Sequence, residues 1–176
     1  SLSCELGCRP MFVAMRGANH DSHDFIADMQ SRGVRAFLVE RGVEASSCTG
    51  ECGFVQVDNA IEALQRLAAY HRAQFRGTVV GITGSNGKTV IKEWIAEELP
   101  EGMKYYRSPK SYNSQLGVPL SVLMLEGDEE LAIFEAGISK PGEMERLERI
   151  IRPDAVIFTS IGDAHQENFI NLEQKC

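Results

Sequence analysis

The chain lacks any run of about 18 consecutive apolar residues, the length that a helix needs to cross a bilayer. Its opening, Ser1-Leu2-Ser3-Cys4-Glu5, also lacks the basic flank and apolar stretch of a secretory leader. A cytoplasmic protein with no membrane insertion is the expectation. Basic charge is short as well, with 18 Lys and Arg against 25 Asp and Glu and a formal net charge of -7. The whole-molecule field therefore repels polyanions, so no nucleic-acid partner is expected and any anionic ligand must be held by local groups. There is no internal repeat and no Asn-Lys-x-Asp segment of the kind that reads guanine, which sets a GTPase switch aside.

What is present suffices for a core. At 176 residues and 43% hydrophobic composition there is room for one large domain or two small ones. Apolar runs alternate with amphipathic stretches, the pattern of α/β layers around a mainly parallel sheet. Strands are expected at 11–14, 36–39, 54–57, 78–83, near 105, and at 131–134 and 155–158. Helices are expected at 24–31, 58–74, 88–99 and 142–151. Asp58 is the expected cap of the second helix, with Ile61, Leu64 and Ala68 on its buried face, and Ile91, Trp94 and Ile95 are expected to face inward on the third. A boundary at Gly77 gives a small α/β domain over 1–76 and a second, parallel-sheet domain over 77–176.

The five cysteines include two Cys-x-x-x-Cys pairs, Cys4/Cys8 and Cys48/Cys52. That spacing is one residue wider than the common zinc knuckle, so reduced thiols are expected.

Between the fourth strand and its helix lies Gly81-Ile82-Thr83-Gly84-Ser85-Asn86-Gly87-Lys88-Thr89. Strand, glycine turn and helix together form the setting in which backbone N–H groups and a helix N-terminus hold phosphate, while Lys88 adds a point charge and Thr89 a hydroxyl for Mg²⁺. The Walker spacing calls for glycine where Ile82 stands, so the general motif fails by count.

Thr83-Gly84-Ser85-Asn86-Gly87-Lys88-Thr89 resembles the shortened phosphate loop of Mur ligases and folylpolyglutamate synthases. Further matches follow in order: Asn113-Ser114-Gln115-Leu116-Gly117-Val118-Pro119-Leu120, Phe134-Glu135-Ala136-Gly137, Ser139-Lys140-Pro141-Gly142-Glu143 and Ile161-Gly162-Asp163-Ala164-His165. Upstream, Phe12-Val13-Ala14-Met15-Arg16-Gly17 and Asp21-Ser22-His23-Asp24-Phe25 resemble the substrate-domain loop of the Mur ligases that add the third residue or the terminal dipeptide. The central segments are similar to those of the dipeptide-adding branch.

The resemblance implies a UDP-substrate-binding domain over 1–76 and an incomplete, P-loop ATP-binding domain over 77–176. It implies ATP-dependent addition of D-alanyl-D-alanine to UDP-N-acetylmuramoyl-tripeptide in peptidoglycan precursor synthesis, through an acyl phosphate, with ATP and Mg²⁺ as cofactors. Gly84, Ser85, Asn86, Gly87, Lys88 and Thr89 would hold the nucleotide, and Thr89, Glu135 and His165 the metal. Lys88, Glu135, His165 and Asn113 would carry catalysis. Gly17, Ala18, Asn19 and His20, with Asn113 and Ser114, would meet the substrates. Ser22 stands where the family has Gly, and Ser111 and Ser114 stand where Asn is common. Both ends are expected to be cuts in a longer chain, and these 176 residues are not expected to complete ligation alone. A third-residue Mur ligase and a non-catalytic nucleotide or UDP-sugar module remain the alternatives.

Overall fold

The computed structural model describes residues 10–17, 20–42, 51–137 and 142–160. Backbone contacts divide the chain into two compact units, Ser1–Ala63 and Leu64–Cys176. Both are α/β with parallel sheets, as the alternating pattern implied.

In the first unit, strands β1 (Met11–Val13), β2 (Ala36–Glu40) and β3 (Gly53–Val57) lie in that order, all parallel. The register places Phe12, Phe37 and Phe54 side by side, with Phe37 and Phe54 stacked at 5.1 Å between ring centroids. A short 3-10 turn (Ser22–Phe25) leads into helix α1 (Ile26–Ser31), which sends Ile26 into the same core as Ala14, Val34, Phe37 and Val39.

Helix α2 (Ala60–Arg72) carries the division between the units. The sequence suggested a boundary at Gly77, but Ala68 of this helix, together with Phe75, already belongs to the core of the second unit. The cap also differs from expectation. Asn59 Oδ1 accepts the Glu62 N–H at 2.9 Å and Glu40 Oε1 accepts that of Ala60 at 3.0 Å, whereas Asp58 pairs with Arg41. A side-chain acceptor three residues before the donor is the reach that capping needs. Ala60, Leu64 and Ala68 form the buried stripe, and Ile61 is 37% exposed.

The second unit holds a four-stranded parallel sheet in the order β5 (Tyr105–Arg107), β6 (Leu131–Ala136), β4 (Thr78–Thr83), β7 (Ala155–Phe158). Helix α3 (Lys88–Glu97) follows β4, α4 (Gly117–Val122) precedes β6, and α5 (Glu143–Ile151) joins β6 to β7. Every residue of β6 is buried, as expected for an inner strand covered on both faces. Its side chains alternate: Leu131 and Ile133 pack on one face with Ile82, Ile91 and Ile95, while Ala132, Phe134 and Ala136 pack on the other with Val118, Val122 and Leu147. Alternation therefore assigns Glu135 to the α3 face.

Candidate nucleotide and metal site

The glycine turn at the carboxyl end of β4 is shaped by its neighbours. Gly84 has φ +132, and a Cβ there would collide with Thr159 Oγ1 and meet the Ser160 backbone at 2.8 Å. Glycine is required on both counts, since an L side chain would be strained and would also collide. Gly87 opens α3 with φ +81. Thr83 ties the start of the turn to β6 through a hydroxyl donated to Ala136 O at 3.0 Å. Two of the loop's N–H groups have partners here: Ser85 donates to Ser160 O at 2.7 Å and Asn86 to Ser160 Oγ at 3.3 Å. The Thr159 hydroxyl donates to Asn86 O. The early N–H groups of α3 lie beyond intrahelical pairing and carry the positive end of the helix dipole.

Lys88 and Thr89 are the first residues of α3. Lys88 Nζ donates to Gly84 O at 2.6 Å, folding back over the turn it follows. Burial holds its ammonium below the usual lysine range, and the Glu135 carboxylate opposes that shift. Thr89 Oγ1 donates to Glu135 Oε2 at 3.1 Å. Thus two sequence-predicted metal residues, 46 positions apart, meet directly. Glu135 lies inside β6 rather than after it, because the strand runs on to Ala136.

Asn113 sits beside the same strand end, its carbonyl accepting the Gly137 N–H at 2.7 Å. Ser114 Oγ accepts from Gly117 N–H at 3.0 Å, at the start of α4. In the first unit, Gly17 N–H donates to His20 O at 2.8 Å, and Arg16 and Asp21 form an isolated antiparallel bridge. Ala18, Asn19 and His165 lie outside the described residues, as do 139–141, 161–164 and every cysteine except Cys52. Cys52 is a free thiol.

Sequence reasoning missed Lys92. Its side chain is fully buried, and Nζ donates to Ser108 O and Lys110 O, each at 2.6 Å. Nζ also lies 2.8 Å from Glu135 Oε1, an ion pair without the angles of a hydrogen bond. Trp94, expected to face inward, is 63% exposed, and Ile91, Lys92, Ile95 and Ala96 line the inner side of α3 instead. The available signal was the spacing: Lys92 falls one turn after Lys88 and beside Ile91.

Among the described residues, no group of three or more His, Cys, Asp and Glu gathers to hold a metal. Thr89 Oγ1 and Glu135 Oε2 nevertheless offer two hard oxygens next to a helix N-terminus. That donor set fits Mg²⁺, which takes few protein ligands and completes its octahedron with phosphate and water.

The decisive comparison is by family: residues 82–175 match the Mur ligase middle domain. The chain belongs to the Mur ligase family. This Mur ligase chain is 33% identical to the UDP-N-acetylmuramoyl-tripeptide–D-alanyl-D-alanine ligase of Bacillus subtilis, over 93% of its own length and 35% of the relative's. It is 36% identical to the enzyme of the same name from Borreliella burgdorferi, over 93% of this chain and 36% of that one. Among solved structures, MurF from Acinetobacter baumannii superposes with a TM-score of 0.85 at 30% identity, covering 94% of this chain and 36% of the other. MurF ligase from Thermotoga maritima, solved in complex with ADP, gives 0.82 at 34% identity, covering 93% and 37%. The chain thus spans about a third of the length of the relatives it matches.

Proposed function

We propose that this chain supplies the substrate-binding and nucleotide-binding parts of an ATP-dependent ligase that adds D-alanyl-D-alanine to UDP-N-acetylmuramoyl-tripeptide. The observation that carries the reading is the meeting of Thr89 with Glu135, beside Lys88, at the carboxyl ends of β4 and β6. Ligands of parallel α/β sheets gather at that edge. The names of relatives such as those from Bacillus subtilis and Borreliella burgdorferi are of the dipeptide-adding type, which favours this branch over one that adds the third residue.

The chemistry follows from what a carboxylate resists. Its charge repels an attacking amine and oxide does not leave, so the carboxylate would first take the γ-phosphoryl of ATP, with ADP leaving. The amine would then attack the acyl carbon of the acyl phosphate, forming the amide as phosphate departs and the nitrogen loses a proton. Lys88 would place its charge on the phosphoryl oxygens and the α3 N–H groups would orient them. Thr89 and Glu135 would hold Mg²⁺, which supplies neutralisation of the developing charge when bound. His165 is assigned to the metal and Asn113 to the reacting carboxylate by the family pattern. Gly17, Ala18, Asn19 and His20 would meet the uridine diphosphate end, and Ser114 the substrate near Asn113.

Calorimetric titration with ADP and Mg²⁺ tests the nucleotide site. Lys88→Ala is expected to weaken binding at least about tenfold, the loss of a charge-assisted contact, with an unchanged circular dichroism spectrum. Equal affinity in the variant would remove Lys88 from the site and the reading with it.

A further inference from the structure

Glu135 is approached from both sides. Oε2 accepts the Thr89 hydroxyl and Oε1 faces Lys92 Nζ at 2.8 Å. Lys92 is held in place by the Ser108 and Lys110 carbonyls, so it cannot swing away to water. Ser108 Oγ in turn accepts the Glu135 N–H at 3.3 Å, which couples the same turn to the strand end. Glu93 lies 3.6 Å from Lys92 Nζ but is part-exposed and also engages Arg107. Around the phosphate loop, Lys88 and Lys92 therefore stand against Glu135, one net positive charge among these three. A cluster of that sign attracts phosphate and repels a free divalent cation, most strongly where water is excluded.

We propose that Lys92 makes metal loading depend on nucleotide: by occupying Glu135 Oε1 and cancelling its charge, it closes the site to free divalent cations until a nucleotide phosphate adds negative charge beside it. Lys92 is a positioning residue in this account, acting on the metal only through Glu135. The inference rests on reading this cluster as a nucleotide and metal site. It assigns the dependence to a side chain outside the Gly-Lys-Thr segment.

Free Mn²⁺ measured by electron paramagnetic resonance, with the full 176-residue chain, provides the test. The unaltered chain should retain Mn²⁺ with ADP and release it without; equal affinity in both conditions overturns the proposal with no variant needed. Lys92→Met keeps a linear side chain and removes the charge. It should raise Mn²⁺ affinity in the absence of ADP by about tenfold, a gain that a merely structural lysine would not produce. Unchanged or weaker binding by a variant with native circular dichroism overturns the proposal. Adding Glu135→Gln to Lys92→Met should abolish the gain, and a gain that persists would place the cation elsewhere and also overturn it. Failure of ADP to bind the unaltered chain would sink the nucleotide reading separately, because the Lys92→Met arm uses no nucleotide.

Discussion

The two edges of the second unit's sheet carry clusters of the same residue types with opposite surroundings. At the carboxyl edge, Lys92 and Glu135 are both fully buried and face each other at 2.8 Å. At the amino edge, Lys104 is half-exposed and engages Asp128 and Glu126, whose side chains are more exposed still. Water screens the second cluster, so its pairs hold little free energy. The first lies beyond the reach of solvent, where desolvation is offset only by close geometry and by extra acceptors such as the Ser108 and Lys110 carbonyls. The Lys92 and Glu135 charges are thus buried at the carboxyl edge, whereas those of Lys104, Asp128 and Glu126 are left in water at the edge where strands begin.

Breaking the buried pair should have the largest effect. Glu135→Ala leaves Lys92 charged and unpaired in the interior, and a loss of about 3 to 5 kcal/mol is expected in urea unfolding. Restoring part of that stability by adding Lys92→Met would confirm that the cost is an orphaned charge rather than a cavity.

An intermediate case sits at the amino edge. The Glu129 carboxylate accepts N–H groups from Glu126 at 3.0 Å and Gly127 at 2.8 Å. Burial pushes its pKa up, but the backbone N–H groups outweigh this and hold it below the ordinary value. A depressed folded-state pKa stabilises the protein above the unfolded pKa, and that contribution is lost as pH falls through the folded one. Glu129→Gln should therefore lower the thermal midpoint modestly at neutral pH, and the gap to the unaltered chain should close in acid. A gap that stays constant with pH would show that the carboxylate charge contributes nothing there.

The smallest effect is expected for Lys104→Ala, which should leave the thermal midpoint unchanged within error. A clear drop would erase the contrast between the two edges.

The sequence made β4, its glycine turn and α3 legible because three independent signals coincide there: an apolar run, Gly84 and Gly87 where positive φ is needed, and Lys88-Thr89 opening an amphipathic stretch. Glu135 was also legible, although the strand was expected to stop before it. Lys92 was not, since a charge inside helical periodicity ordinarily marks the solvated face, and hydrophobicity alone favoured Trp94 for the interior. A buried lysine is tolerable here because the Ser108 and Lys110 carbonyls accept from it and a carboxylate on β6 faces it, and that carboxylate is 43 positions away along the chain. The division inside α2 was hidden for a related reason. One continuous helix contributes Ala68 to a core that its own sequence does not announce.

Crystals of the chain grown with ADP and Mn²⁺ would test the central claim through the anomalous signal of the metal. The account predicts a peak about 2.1 Å from both Thr89 Oγ1 and Glu135 Oε2, with Lys92 still on Oε1 and phosphate over the Gly84 to Lys88 turn. A metal bound away from both oxygens, or a nucleotide lying at the amino edge of the sheet, would contradict it.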